Sequence, residues 1–270
     1  MNAGCDLSGT IQNILAQTYC NFEIIIKDGG STDGSIDSIP DDKRIQFIQK
    51  KDTSIYDAMN QGIEAAESDF SIFINAGDCF YDHDVLQKFA DAISKRNADI
   101  YYGHTFYCDA STSANATANP EDKKRTGAIG SVPKKLTNFF CYRGMICHQS
   151  ILYKTTLLKE RSYQTQYKLC ADRELLLYHY FTKKATFSYE EFIVSVFQGG
   201  GQTDSEKGRI IMKNENRMIM KKYITAPERF LYEMLYRMTF PKLRKKLIYP
   251  SPKRAEKYRK LIQKFYKTKY

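Results

Sequence analysis

The sequence predicts an α/β fold, a mainly parallel sheet with helices on its faces, followed by a basic helical extension. Three observations carry this. Strand-like and helix-like segments alternate over the first 110 residues or so. The strand-like runs are short and contiguously apolar, as in sheets covered on both faces. Glycine-rich or acidic turns close them.

Taken in order, Leu7, Ile11, Ile14 and Leu15 recur at helical spacing. Asn21–Lys27 reads as a buried strand because Ile24, Ile25 and Ile26 are contiguous and β-branched. A glycine-rich turn follows at 28–35, then a strand at 44–49. Ser54–Ala66 has Ile55, Met59, Ile63 and Ala66 on one helical face. Phe70–Asn75 is another short strand, Asp82–Arg96 a helix with an aspartate to cap its start, and Asp99–Phe106 a strand. Residues 109–128 are polar and small, which predicts a mobile loop. Beyond it come a strand at 148–154, a helix at 171–181, one or two strands at 185–197 and a helix at 210–224. The expected division is a catalytic domain over 1–205 and a basic helical extension over 206–270.

Of the 270 residues, 42% are hydrophobic, with 20 Tyr and 16 Phe, so a sizeable core is expected and general disorder is not. The net charge of +10 is uneven: residues 211–270 hold 18 Lys/Arg against 4 Glu. A tail of that kind suits an anionic lipid surface. Nucleic acid is not an expected partner, because no helix-turn-helix, RRM or zinc-finger pattern accompanies the charge. Seven cysteines, an odd number with no C-x-x-C pair, read as reduced thiols, and the four histidines add no metal-ligand spacing. No secretory signal and no apolar run of roughly 20 residues is found. The expected location is therefore cytoplasmic, peripheral at the inner face of the cell membrane. The Asn115-Ala116-Thr117 sequon would go unused there.

Several clusters carry chemistry. Asp28-Gly29-Gly30 follows a buried strand, where α/β sheets bind ligands. A carboxylate there accepts hydrogen bonds from a nucleobase, and glycine lets backbone approach; the same residues also suit an ordinary capped turn. Asn75-Ala76-Gly77-Asp78 ends another strand, and Asp78 is either a hard-cation ligand or a helix cap. Asp172 and Glu174 open a helix, as a proton acceptor for an attacking hydroxyl or as simple dipole partners. Tyr56, Asp57 and Asn60 share a helical neighbourhood that lines a site or faces water. His148-Gln149-Ser150 heads a strand. No G-x-S-x-G, G-x-G-x-x-G or Walker loop occurs, which sets aside serine hydrolases, NAD-dependent redox enzymes and P-loop ATPases.

Taken together, QTYCNFEIIIKDGGSTDGSI, KKDTSIYDAMNQGIEAA, FSIFINAGD, CHQSILYK and YKLCADRELLL, in this order over residues 2–200 or so, resemble the bacterial family 2 glycosyltransferases. That group is inverting and has a GT-A fold. The resemblance implies a nucleotide-sugar donor, usually a UDP-sugar, a saccharide or lipid-linked acceptor, and Mg²⁺ or Mn²⁺. It places Asn2, Asp28, Gly29, Gly30, Asp57, Asn60 and Asn75 at the nucleotide. Asp78 falls at the metal, Asp172 at the catalytic base, and His148, Gln149 and Glu174 beside the acceptor and donor sugar. The alternatives are a truncated, catalytically impaired relative and a non-catalytic basic membrane-binding protein. The chain departs from the family in three ways. Asp78 is the only acid in Asn75–Asp78, Ser54 stands where glycine is common, and no apolar first strand precedes Asn2. A sheet lacking that central strand is expected to leave apolar surface and backbone unpaired on both neighbours, through a misassigned start or a truncation of the gene.

Overall fold

A computed structural model describes residues 2–108, 127–199 and 205–238, together with Arg254 and Lys257. The Asn115 sequon, nearly all of the expected 109–128 loop and most of the tail lie outside these residues. By compactness the chain divides into two units, Met1–Ile219 and Met220–Tyr270.

The first unit opens with helix α1 (Cys5–Leu15) and strand β1 (Ile24–Asp28), then β2 (Ile45–Gln49) and helix α2 (Ile55–Ala65). In β1 burial alternates, with Ile24 and Ile26 packed on Ile11 of α1. Full burial of such a side chain stabilises by about 1.5–3 kcal/mol. α2 starts where Ser54, in extended backbone, accepts the Asp57 N–H on its hydroxyl at 3.1 Å. Asp57 in turn accepts the Thr53 N–H at 2.8 Å, a reciprocal cap. Next come β3 (Phe70–Ser71), β4 (Cys79–Phe80), α3 (Val85–Lys95), β5 (Ile100–Cys108) and β6 (Gly127–Gly130). The unit continues with α4 (Asn138–Arg143), β7 (Ile151–Lys154), α5 (Thr155–Glu160), α6 (Ala171–Tyr178), β8 (Phe187–Phe197) and the start of α7 (Glu206–Tyr223). The second unit contains the end of α7 and α8 (Ala226–Met238).

The strands form two sheets. β1 and β2 pair in parallel, Ile24 opposite Ile45 through Asp28 opposite Gln49. The other sheet runs β3-β7-β5-β8-β4, with β6 on β5. There only β5–β8 is parallel, and the four remaining pairings are antiparallel. The α/β class and flanking helices are as expected, and the sheet is mixed rather than mainly parallel. The reversal arises where β7 and β4 return beside β5 and β8.

Among the described residues no strand joins β1 to β3. The run expected as a strand over Phe70–Asn75 is paired only at Phe70 and Ser71, on β7; Ile72–Asn75 find no ladder. A cavity of about 1900 Å³ lies between the two sheets, walled by Ile24–Ile26, Phe70–Ile74 and residues of α1 and α2 such as Ile11 and Ile63. Cores lie to either side: Ile11, Ile24 and Ile26 on one, and Phe80, Phe89, Tyr101, Leu152 and Val194 on the other, with Ile14 packed against both.

Candidate active site

The turn after β1 is held by Asp28. Its Oδ2 accepts the Gly30 and Ser31 N–H groups at 2.7 Å each, and its Oδ1 accepts the Ser31 hydroxyl. Burial alone would raise this carboxyl, but those hydrogen bonds outweigh it and bring it down to about 2. Gly30, at φ 110, takes a conformation closed to other residues. Asn2 joins the same turn: its N–H donates to the Ser31 hydroxyl at 2.8 Å and its side-chain oxygen accepts the Thr32 N–H at 2.9 Å. Gly29 lines the large cavity, as does Tyr56 of α2.

Asp57 and Asn60 are placed otherwise. Asp57 is committed to the cap of α2, accepting both the N–H and the hydroxyl of Thr53. The Asn60 amide is spanned by the Tyr163 backbone, donating to its carbonyl and accepting its N–H at 2.9 Å each.

A second centre lies past β3. Gly77, at φ 96, turns the chain so that the Thr10 hydroxyl of α1 accepts the Gly77 N–H at 3.0 Å and donates to the Asp78 carbonyl at 2.8 Å. Asp78 is buried; its Oδ1 accepts the Gln198 N–H at 2.9 Å and its Oδ2 the Gln149 amide. Burial pushes the Asp78 carboxyl above the usual range, against these two hydrogen bonds. Beside it a smaller cavity of about 320 Å³ is lined by Asp6, Asn75–Asp78 and Phe197–Gly199. Among the described residues no three His, Cys, Asp or Glu side chains gather as a ready metal cluster. The oxygens present suit a hard cation: an ionised carboxylate has lone pairs beyond two N–H donors, and Asp6 brings a second carboxylate to the same cavity.

The third centre is Asp172, in the first turn of α6. Its Oδ1 accepts the Tyr56 hydroxyl at 3.1 Å and the Arg173 N–H at 2.8 Å, while its Oδ2 stands 3.5 Å from His148 Nδ1. The other face of that imidazole, Nε2, is 3.4 Å from the Asn75 amide. Residues 148 and 149 thus span the two centres, His148 beside Asp172 and Gln149 bonded to Asp78. The structure brings Asn75, Asp78, His148, Gln149 and Asp172 together, and Asn75, His148 and Asp172 line the same large cavity as Gly29. Glu174 is fully buried in a two-point ion pair with Arg161, at 2.8 and 3.0 Å.

Sequence reasoning did not single out four participants: Asp6, Gln198, Arg173 and Glu215. Glu215 of α7 accepts the N–H groups of Lys168, Leu169 and Cys170 at 2.6, 3.0 and 3.0 Å, just ahead of α6. The Arg173 guanidinium ties α6 to Asn216 at 2.8 Å and to the Cys141 and Tyr142 carbonyls. A Glu on an ordinary helix gives no sign that it reaches a loop more than forty residues away, nor an Arg that it joins two other helices.

The α/β frame is shared with solved glycosyltransferases of the GT-A type. Staphylococcus aureus TarS residues 1–349, in complex with UDP-GlcNAc, superposes with a TM-score of 0.60 at 15% identity, over 86% of this chain and 66% of that one. The mannosyltransferase PcManGT from Pyrobaculum calidifontis, in complex with GDP-Man and Mn²⁺, superposes with a TM-score of 0.58 at 12% identity, over 81% of this chain and 60% of that one. These likenesses show the fold. The chain belongs to Glycosyl transferase family 2, whose family model matches residues 1–156. A PGL/p-HBAD biosynthesis glycosyltransferase of Mycobacterium tuberculosis is 28% identical over 179 residues, spanning 64% of this chain and 63% of the relative. An uncharacterized glycosyltransferase of Haemophilus influenzae is 34% identical over 113 residues, 40% of this chain and 45% of that one.

Proposed function

We propose that the chain is an inverting glycosyltransferase that moves a sugar from a nucleotide diphosphate sugar, most readily a UDP-sugar, to a hydroxyl of a saccharide or lipid-linked acceptor. The observation that carries this reading is the His148-Gln149 bridge, which links Asp172 on the large cavity to Asp78 on the smaller one, two cavities that share Asp6, Asn75, Ala76 and Phe197. Family membership and the UDP-GlcNAc and GDP-Man bound by solved proteins of like fold support it.

In this reading Asp172 accepts the proton of the attacking hydroxyl, whose oxygen bonds to the anomeric carbon as the bond to the diphosphate breaks. His148 and Gln149 orient the sugar side of the cleft, and Glu174 supports α6 through Arg161. Asn2, Asp28, Gly29 and Gly30 receive the base and ribose, Asn75 the ribose–phosphate, and Asp57 and Asn60 hold the α2 wall. Asp78, with Asp6 beside it, would hold Mg²⁺ or Mn²⁺. That ion when bound neutralises the leaving diphosphate.

The test is nucleotide release from a panel of UDP- and GDP-sugars with Mn²⁺. Asp172→Asn is expected to abolish transfer, a loss of at least about 100-fold, with nucleotide affinity kept. Asp78→Ala is expected to weaken binding only where it depends on metal. Loss of binding in Asp172→Asn would contradict the role given to it. A second reading, a catalytically impaired sugar-nucleotide binder, is favoured by the divided sheet; a panel that binds in thermal shift without any turnover would support it.

A further inference from the structure

We propose that Tyr56 is a positioning residue: together with the Arg173 backbone it pins Oδ1 of Asp172 and leaves Oδ2 as the atom that takes the acceptor proton. This rests on the reading of Asp172 as the base.

Tyr56 reaches Asp172 across 116 residues of sequence, and its hydroxyl donates to Oδ1 at 3.1 Å. The Arg173 N–H donates to the same oxygen at 2.8 Å. Two donors on one oxygen fix the plane of the carboxylate. Oδ2 stands 3.5 Å from His148 Nδ1, and both residues line the cleft. A carboxylate held this way presents one basic lobe in one direction, and misorientation of a reacting group is costly to rate.

The ring of Tyr56 is itself clamped. Its centroid lies 5.4 Å from that of Tyr163, which packs edge-on against Phe73 at 5.5 Å. Burial first, and the Asp172 charge second, push ionisation of the Tyr56 phenol far above its ordinary range, so it stays a donor at any working pH. The buried Tyr163 hydroxyl has no hydrogen-bond partner. The two tyrosines share one aromatic layer, and only one of them bonds the carboxylate.

In the proposed step the acceptor O–H bond breaks as its oxygen bonds to the anomeric carbon. The electron pair of the old C–O bond leaves with the nucleoside diphosphate, and the proton ends on Oδ2. Phenylalanine at position 56 keeps the ring packing and removes the donor to Oδ1.

The test compares the wild type with Tyr56→Phe and Tyr163→Phe in protein labelled with ¹³C at the aspartate carboxyl. The Asp172 signal is assigned by its loss in Asp172→Asn. Tyr56→Phe is expected to move that signal and Tyr163→Phe to leave it in place. With UDP-GlcNAc and Mn²⁺ as the probe, Tyr56→Phe should lower kcat about tenfold with donor Kd unchanged. An Asp172 signal identical in the wild type and Tyr56→Phe overturns the inference, as does an equal displacement in Tyr163→Phe. Full turnover by Asp172→Asn would instead remove the base itself, and this inference with it.

Discussion

At the scale of the residue, Asp28 shows how one carboxylate holds a turn. Its oxygens cap the turn after β1 with two backbone N–H groups and the Ser31 hydroxyl, which lowers the carboxyl from 3.8 to about 2. A folded value below the unfolded one means that the native state holds fewer protons in that window. The resulting stability is present above about pH 4 and is lost as pH falls through 2; a shift of this size corresponds to about 2 kcal/mol. Asp28→Asn is therefore expected to be less stable than the wild type by about 2 kcal/mol at pH 7, with the gap closing toward pH 2. Urea unfolding across that range measures it, and a gap that stays constant with pH would refute the account. Asp28, Asp78, His148 and Asp172 could be picked out as candidates because acidic or imidazole side chains at strand and helix ends are a small set. Asp57, Asn60 and Glu174 show why such reading stops short. The donors and acceptors that would meet a ligand here meet Thr53, the Tyr163 backbone and Arg161, and residue type does not distinguish the two. The Gln198 N–H on Asp78 is a backbone group, which no side-chain pattern reveals.

At the scale of the element, the longer helices were legible, while the short helices α4 and α5 and the order of strands were not. Apolar spacing of three and four residues marks α1, α2 and α3 directly. A strand's periodicity says which face is buried but not which neighbour it pairs with, so the antiparallel returns of β4 and β7 could not be read from it. Ile24–Ile26 and Phe70–Ile74 are both apolar enough to be interior strands, and among the described residues no strand lies between them. In the structure each meets the shared cavity, and β1 is paired on β2 alone. Asn2 is bonded to the turn that follows β1, at the end where a strand running parallel to β1 would leave the gap. A strand there, followed by α1 and then β1, would complete a β-α-β crossover. Joining a six-residue β-branched apolar segment ahead of Asn2 is thus expected to stabilise the first unit. Two or three newly buried side chains at about 1.5–3 kcal/mol each correspond to a Tm rise on the order of 10 °C for a domain this size. A scrambled polar segment of equal length should give no rise; equal effects from both would show that the gap does not accept a strand.

At the scale of the whole molecule, charge and apolar surface coincide toward the C-terminus. Phe230, Leu231, Met234, Leu235 and Met238 of α8 are all exposed, and their spacing puts them on one face of the helix. Residues 211–270 carry 18 Lys/Arg against 4 Glu. Among the described residues no helix is long and apolar enough to cross a membrane. An apolar face followed by a basic stretch suits a bilayer interface, with the apolar side chains in the headgroup boundary and the cations above anionic lipid. We propose on this basis that the chain works at an anionic cytoplasmic membrane surface, where a lipid-linked acceptor would be at hand. Each basic residue near such a surface contributes about 1 kcal/mol, within a screening length near 10 Å at 0.1 M salt. The full chain should therefore sediment with phosphatidylglycerol vesicles strongly at low salt and partly at high salt, since salt screens the charges but not the apolar face. Removing residues 227–270 should abolish both fractions, while substituting aspartate for Phe230 and Leu231 should remove mainly the salt-resistant one. Sedimentation of the shortened chain equal to that of the full one would exclude the extension as the anchor and put the membrane contact within the retained residues.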